Sequence, residues 1–310
     1  MIVTVTANPA VDQTVRVHHL DIAAVNRFFA PQLDASGKGV NVSRMAHRLG
    51  WSTIALGFLA GEIGMLVEQS LDREGVPHHF VCVPGQTRLN MTVVDETTGS
   101  ATHFLGPGPT IGREHFAQLD ALLLSQLPAA RILVLAGNLP PGAPDDIYAT
   151  YVRLARARGV QTIVDADGEA LRLAVAAKPS LIKPNLAEAE RLLGRKLPDL
   201  TAVAAGAREL VVQGVATVVI SLGARGAIGV QGARVWLAAP PELEQESTVG
   251  AGDSFVAGLA VALASGKDFV EGLRQGTAAG AATAITPGTA QGTVETIRAI
   301  LPQVRIEALS

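Results

Sequence analysis

Ser247-Thr248-Val249-Gly250-Ala251-Gly252-Asp253-Ser254-Phe255 places a lone carboxylate just behind a glycine turn that opens a helix. Beyond Asp253 the chain runs through Phe255, Val256, Leu259, Val261, Ala262 and Leu263, an apolar run long enough for a buried helix. Gly250 and Gly252 lack a Cβ, so the backbone can turn sharply there and expose its N–H groups. Those groups, with the positive end of the helix dipole, form a site for a phosphate or a developing anion. A carboxylate among such amides repels a phosphate unless it has a task of its own. A general base taking a proton from an attacking hydroxyl has one. The alternative is that Asp253 is only a helix N-cap.

Short apolar runs rich in branched residues alternate with helical patterns through most of the chain. Strands are predicted at Ile2–Thr6, Thr53–Phe58, Ile132–Ala136, Thr162–Asp165, Leu181–Lys183 and Val218–Leu222, and helices at Val42–Leu49, Glu62–Glu74, Asp145–Arg158 and Ala202–Gln213. This alternation predicts an α/β fold with a mostly parallel central sheet flanked by helices on both faces. Ligands of such sheets sit beyond the carboxyl ends of the strands. Two segments break the pattern. Thr14–His19, and Arg88–Val94 followed by Ala101–Leu105, alternate with period two and have no helix between them. With Glu96–Ser100 as a hairpin turn, they predict a small separate β-sheet inserted into one domain spanning 1–310.

With 48% hydrophobic and 17% charged residues, the composition fits a well-buried cytoplasmic protein. A net charge of −3 gives no basis for binding nucleic acid or an acidic membrane surface. Cys82 is the only cysteine, which excludes an intrachain disulfide and a cysteine metal cluster. No apolar run is long enough to predict a membrane span. The N-terminal residues read as a first strand, without the basic region and apolar core of a signal peptide. The pairs His18-His19 and His78-His79 lack a repeated ligand spacing and lie in β-like segments.

Four further motifs carry chemistry. Ser36-Gly37-Lys38-Gly39-Val40-Asn41-Val42-Ser43-Arg44 is not a Walker loop, which would need glycine at 32 and Ser or Thr after Lys38. Two glycines bracket a lysine before a helix bearing Asn41. That suits close backbone approach to a polyhydroxylated ligand with Lys38 ready for an anion, or else a plain turn with a solvated lysine. In Asn8-Pro9-Ala10-Val11-Asp12, Asp12 can accept hydrogen bonds from vicinal hydroxyls or belong to an Asx turn. In Lys183-Pro184-Asn185-Leu186-Ala187-Glu188, the Asn185 amide and Glu188 carboxylate lie three apart on one helix face. They can orient the water shell of Mg²⁺, form a capping box, or do both. Ser221-Leu222-Gly223-Ala224-Arg225-Gly226 is a strand and glycine turn that could lie against a nucleotide.

Together and in this order, these motifs resemble the PfkB family of carbohydrate kinases, within the ribokinase superfamily, over essentially the whole chain. Asn8–Asp12, Ser36–Arg44, Thr87-Arg88-Leu89-Asn90 and Gly137-Asn138-Leu139-Pro140-Pro141-Gly142 are most similar to the branch that acts on sugar phosphates. The resemblance implies a ribokinase-like fold with a small β-sheet lid formed by segments about 12–34 and 87–106. It also implies a homodimer joined through that lid. It makes Asp253 the catalytic base and gives an anion hole to the Gly250, Ala251, Gly252 and Asp253 amides. Asp12, Gly37, Lys38, Gly39, Asn41, Arg88, Asn90 and Asn138 would line the sugar-phosphate pocket. Lys183, Asn185, Ser221, Gly223, Gly226 and Gly252 would serve ATP, with Asn185 and Glu188 holding Mg²⁺ through water. Two departures from the family pattern are Ser36-Gly37, where Gly-Gly is usual, and Asn138, where serine is common.

The implied reaction is ATP-dependent phosphorylation of fructose 1-phosphate to fructose 1,6-bisphosphate. Lys38 and Arg88 would neutralise the phosphate already on the sugar. Fructose 6-phosphate and tagatose 6-phosphate are the alternative acceptors, and a sugar-phosphate sensor without turnover is the alternative outside enzymes.

Overall fold

The computed structural model describes residues 1–309. Its strands are β1 (Ile2–Thr6), β2 (Ala10–Val17), β3 (Phe29–Ser36), β4 (Thr53–Leu59), β5 (His78–Cys82), β6 (Arg88–Asp95) and β7 (Ala101–Phe104). There follow β8 (Ile132–Ala136), β9 (Gln161–Asp165), β10 (Leu181–Ile182), β11 (Thr217–Ser221), β12 (Ala227–Gln231), β13 (Arg234–Ala239) and β14 (Arg305–Leu309). The helices are α1 (Lys38–Arg48), α2 (Gly61–Glu74), α3 (Arg113–Gln126), α4 (Ile147–Arg156) and α5 (Gly168–Ala176). They continue as α6 (Leu186–Leu193), α7 (Leu200–Val212), α8 (Ala251–Ala264), α9 (Phe269–Ala284) and α10 (Val294–Ile300).

Ten strands form the large sheet in the order β14-β13-β12-β11-β10-β9-β8-β1-β4-β5. Pairing is parallel from β5 to β11 and antiparallel from β11 to β14. The parallel strands are apolar on both faces, as burial on both sides requires. Val3, Val5, Leu133 and Leu135 face the core under α3, α4, α5 and α7. Ile2, Ile132 and Val134 face the opposite core, under α1, α8, α9 and α10. Strand order reverses around β1, which has β8 on one side and β4 on the other. A crevice forms beyond the carboxyl ends at such a reversal.

Helices α8 and α9 pack through small residues. A Cβ on Gly258 would come within 2.7 Å of the Gln275 carbonyl oxygen, and one on Gly276 within 2.8 Å of the Phe255 carbonyl oxygen. This close contact, with Val256, Leu259 and Ala260 fully buried, fixes α8 and therefore Asp253 in its first turn.

The small sheet has the order β3-β2-β6-β7 and stands apart from the large one. It is larger than the periodicity predicts. Strand β2 begins at Ala10, pairs parallel with β6, and gains an antiparallel neighbour in β3. Pro31 and the exposure of Ala30 to Leu33 hide β3 from a period-two reading. Antiparallel β12–β14 extend the large sheet past the predicted alternation. Helix α1 also begins earlier than predicted: Lys38 and Gly39 belong to its first turn, and Gly37 is its N-cap.

Candidate active site

A cavity of about 940 Å³ opens beyond the carboxyl ends of β9, β10 and β11, between the small sheet and the first turn of α8. Gly250 caps α8 in the left-handed region at φ 74°, where a side chain would be strained. The first-turn N–H groups of Gly252 and Asp253 have no intrahelical carbonyl to reach, and both residues line the cavity. Gly252 leaves the floor clear, since a Cβ there would lie 3.6 Å from Lys183 Nζ.

Asp253 is 8% exposed. Its Oδ2 accepts a hydrogen bond from Asn41 Nδ2 at 2.8 Å. Burial first, and then the nearby Asp165 carboxylate, push its pKa up to about 6, against the pull of Lys38, Asn41 and Lys183. Asn41 is held in turn by its own backbone, where Gln291 Nε2 donates to the Asn41 carbonyl at 2.7 Å. Asp253 does not act as a cap: no side chain caps α8.

At the other end of the cavity, Asp12 Oδ2 accepts from Ser36 Oγ at 2.5 Å and Oδ1 from Asn90 Nδ2 at 2.8 Å. Three strands of the small sheet thus converge on one carboxylate. Arg88 is partly buried, with NH2 donating to the Asn8 carbonyl and NH1 to that of Gly106. Its Nε is buried without a partner. Burial lowers its pKa, opposed by Asp12. Arg88 also borders a second cavity of about 530 Å³, lined by Asn138 and the Leu139–Ala143 turn.

The capping box at Asn185 is complete: Asn185 Oδ1 accepts from the Glu188 N–H and Glu188 Oε2 from the Asn185 N–H. Glu188 Oε1 is left facing Lys38 Nζ at 3.5 Å. Lys38 Nζ also donates to Asp165 Oδ1 at 2.8 Å, and Lys183 Nζ lies 3.3 Å from Asp165 Oδ2. Burial works against the charge on Lys38, but Asp165, Glu188 and Asp253 outweigh it and hold its pKa well above the ordinary lysine value. Among the described residues, no three His, Cys, Asp or Glu side chains converge as a metal site. A divalent cation near Asn185 and Glu188 would therefore keep most of its water, which suits Mg²⁺.

Of the residues singled out from the sequence, Asp12, Gly37, Lys38, Asn41 and Arg88 line the large cavity. So do Gly250 to Asp253, Lys183, Asn185, Glu188, Ser221, Gly223 and Gly226. Three do not. Gly39 packs on β1, where a Cβ would meet Thr6 Oγ1 at 2.5 Å. Asn90 braces Asp12 from the side and accepts from the Gly106 N–H. Asn138 faces the second cavity. Gly226 has a packing reason as well, since its Cβ would lie 1.9 Å from the Ala238 carbonyl oxygen.

Asp165 escaped the sequence reading, although a carboxylate closing the apolar run Thr162-Ile163-Val164 is a visible signal. Pro240, Leu243, Ala281 and Ile285, which give the cavity an apolar wall, also escaped. They come from a loop and a helix with no motif of their own.

A buried carboxylate beside a helix N-terminus, with two lysines and an apolar wall in one cavity, is the setting of a phosphotransferase that acts on an alcohol, the class that the family match gives this chain. The match to the pfkB family carbohydrate kinase model runs over residues 6–297, and the chain belongs to that family. It is 41% identical to the 1-phosphofructokinase of Rhodobacter capsulatus over 281 residues, covering 89% of this chain and 88% of that one. It is 31% identical to a tagatose-6-phosphate kinase of Staphylococcus epidermidis, covering 99% of each. Its fold matches the crystal structure of Escherichia coli phosphofructokinase-2 in complex with substrates and products. That match has a TM-score of 0.92 at 33% identity, over 97% of this chain and 98% of that one.

Proposed function

We propose that the chain transfers the terminal phosphoryl group of ATP to the 6-hydroxyl of D-fructose 1-phosphate, giving fructose 1,6-bisphosphate and ADP. The observation that carries this reading is the buried Asp253 carboxylate, poised near neutrality, at the head of the amide-lined turn of α8. Asp253 takes the hydroxyl proton as the oxygen attacks in line. The transition state for such transfer is loose, so charge stabilisation by the Gly250–Asp253 turn matters more than covalent help. Mg²⁺, when bound through water at Asn185 and Glu188, would supply further charge neutralisation at the phosphates. Asp12, braced by Ser36 and Asn90, orients sugar hydroxyls. Arg88, which borders both cavities, meets the phosphate the sugar already carries.

The test is an ATP-coupled assay across fructose 1-phosphate, fructose 6-phosphate, tagatose 6-phosphate and free fructose. Fructose 1-phosphate is expected to lead in kcat/KM by at least roughly tenfold, about 1.4 kcal/mol. A lead for either 6-phosphate would move the chain to another acceptor within the family. No turnover with any of the four would favour a sensor.

The Mg²⁺ assignment has its own check. Glu188→Gln is expected to raise the Mg²⁺ concentration for half activity and leave the sugar-phosphate KM nearly unchanged. Superimposable Mg²⁺ titrations would reduce Glu188 to its capping role.

The small sheet is proposed as a lid that excludes water during transfer and as the seat of a homodimer. Leu33, Leu89 and Phe104 on its strands, with Ile22, Val25 and Phe28 on the β2–β3 connection, expose large apolar area. A second copy of the chain, offering the same self-complementary patch, is the proposed occupant. A single-protomer mass at equilibrium sedimentation would remove it. No helix among the described residues is long and apolar enough to cross a membrane. A cytoplasmic setting, where ATP is supplied, belongs to the same proposal.

A further inference from the structure

Asp165 is the most deeply buried charge in the site, at 1% exposure, and closes β9 at the carboxyl edge of the sheet. Each of its oxygens serves a different lysine: Oδ1 takes Lys38 Nζ at 2.8 Å and Oδ2 lies 3.3 Å from Lys183 Nζ. The two lysines come from separate parts of the chain, one from the first turn of α1 and the other from the residue after β10. Both line the large cavity. Lys183 is almost wholly enclosed, at 4%, and stands against the α8 turn beside Gly252. Lys38 is 32% exposed and has a second carboxylate, Glu188 Oε1, at 3.5 Å.

This arrangement differs from the role the sequence suggests for Lys38. Its ammonium is on the side of Asp165, Glu188 and Asp253, whereas Arg88 reaches the Asn8 and Gly106 carbonyls beside the second cavity. A side chain spent on two carboxylates is a poor ligand for a phosphate on the far side of the sugar. It is well placed for one arriving at the α8 turn.

We infer that Asp165 is a positioning residue for phosphoryl transfer. Its two oxygens hold Lys38 and Lys183 together as a fork bordering the first turn of α8, and the group in transit lies against that turn and the fork. This rests on the phosphotransferase reading above. Two ammonium groups so close would repel each other without the carboxylate between them. Lys183 is the fixed tine, and Lys38, more exposed and shared between two carboxylates, is the tine that can follow the moving group. No bond to protein forms in this step. The fork supplies only charge, and the proton leaves through Asp253.

The experiment is a double-mutant cycle with Lys38→Met and Asp165→Asn, run on whichever acceptor the wild-type enzyme turns over fastest. Each single variant is expected to lower kcat about 100- to 1000-fold, the scale of losing one preorganised charge contact, with the sugar-phosphate KM moving less than about threefold. The double variant is expected to be no slower than the worse single one, because residues acting through each other are not additive. Calorimetric titration with ADP and with the non-hydrolysable imido analogue of ATP gives a readout without turnover. The wild type's preference for the triphosphate analogue should shrink in both single variants by a similar factor.

Multiplicative losses in the cycle would overturn the coupling. So would a tenfold rise in sugar-phosphate KM with kcat retained in Lys38→Met, which would return Lys38 to the sugar phosphate. If Asp165→Asn does not fold, Lys38→Met decides alone: an unchanged preference for the triphosphate analogue overturns the inference. A wild type that prefers another acceptor but shows the expected coupling would overturn the fructose 1-phosphate reading and leave the fork standing.

Discussion

Asp253→Asn is expected to lower kcat by at least about 100-fold while ATP binding and the fold persist, the scale on which a general base contributes. The replacement is nearly isosteric, and its amide oxygen can still accept from Asn41 Nδ2, so packing at the start of α8 has no reason to change. What disappears is the proton acceptor. The same residue sets the pH dependence. Burial and the Asp165 carboxylate push its pKa up to about 6, so the proposed base is mostly protonated below that pH and mostly ionised above it. Wild-type kcat should therefore rise through about pH 6 and level off toward neutrality, and the residual activity of the variant should lack that limb. A well-folded Asp253→Asn enzyme with near-normal turnover would take the base away from this position.

Arg88→Ala should be the second large effect, costing about 2–4 kcal/mol in kcat/KM for the sugar phosphate because a charged partner is left unpaired. At 1.4 kcal/mol per decade this is roughly 30- to 700-fold. The KM for ATP should move little, since Arg88 borders the sugar end of the cavity and the second cavity beyond it. The side chain also ties the turn after β1 to the segment after β7 through the Asn8 and Gly106 carbonyls. A purely structural loss would therefore affect both substrates and lower the melting temperature. Arg88→Lys separates the two cases further: it keeps charge but loses the planar fork, so recovery should be partial. Equal use of unphosphorylated fructose, with no effect of Arg88→Ala, would remove the phosphate contact altogether.

Much of this was legible in the residues. The parallel strands show themselves because burial on both faces demands short continuous apolar runs, and β1 and β8 fall where those runs lie. Asp253 is legible because glycine, carboxylate and an apolar helix follow one another within a few residues. The less visible parts have physical reasons. Strand β3 is polar and exposed along its middle, so it carries no alternation. Gly39 and Gly226 look like ligand-binding glycines, yet the first answers to the Thr6 hydroxyl and the second to the Ala238 carbonyl, neighbours that only the folded chain brings near. Lys38 reads as a free cation in sequence. Its carboxylate partner Asp165 is 127 residues away, and no local pattern couples a helix start to a strand end at that distance.

The join at Gly37 has a mechanical consequence. Strand β3 ends at Ser36 and α1 begins at Lys38, so a single residue, at φ 122°, links the small sheet to the helix that carries Asn41. On one side of this joint Ser36 grips Asp12, and on the other Asn41 grips Asp253. Gly37 is therefore a joint with the Asp12 contact on one arm and the Asp253 contact on the other. Ser36 and Asp12 move together on the small sheet, and Asn41 and Asp253 stay together on α1 and α8. Tilting the small sheet about this joint would keep both grips and change the span between Asp12 and Asp253.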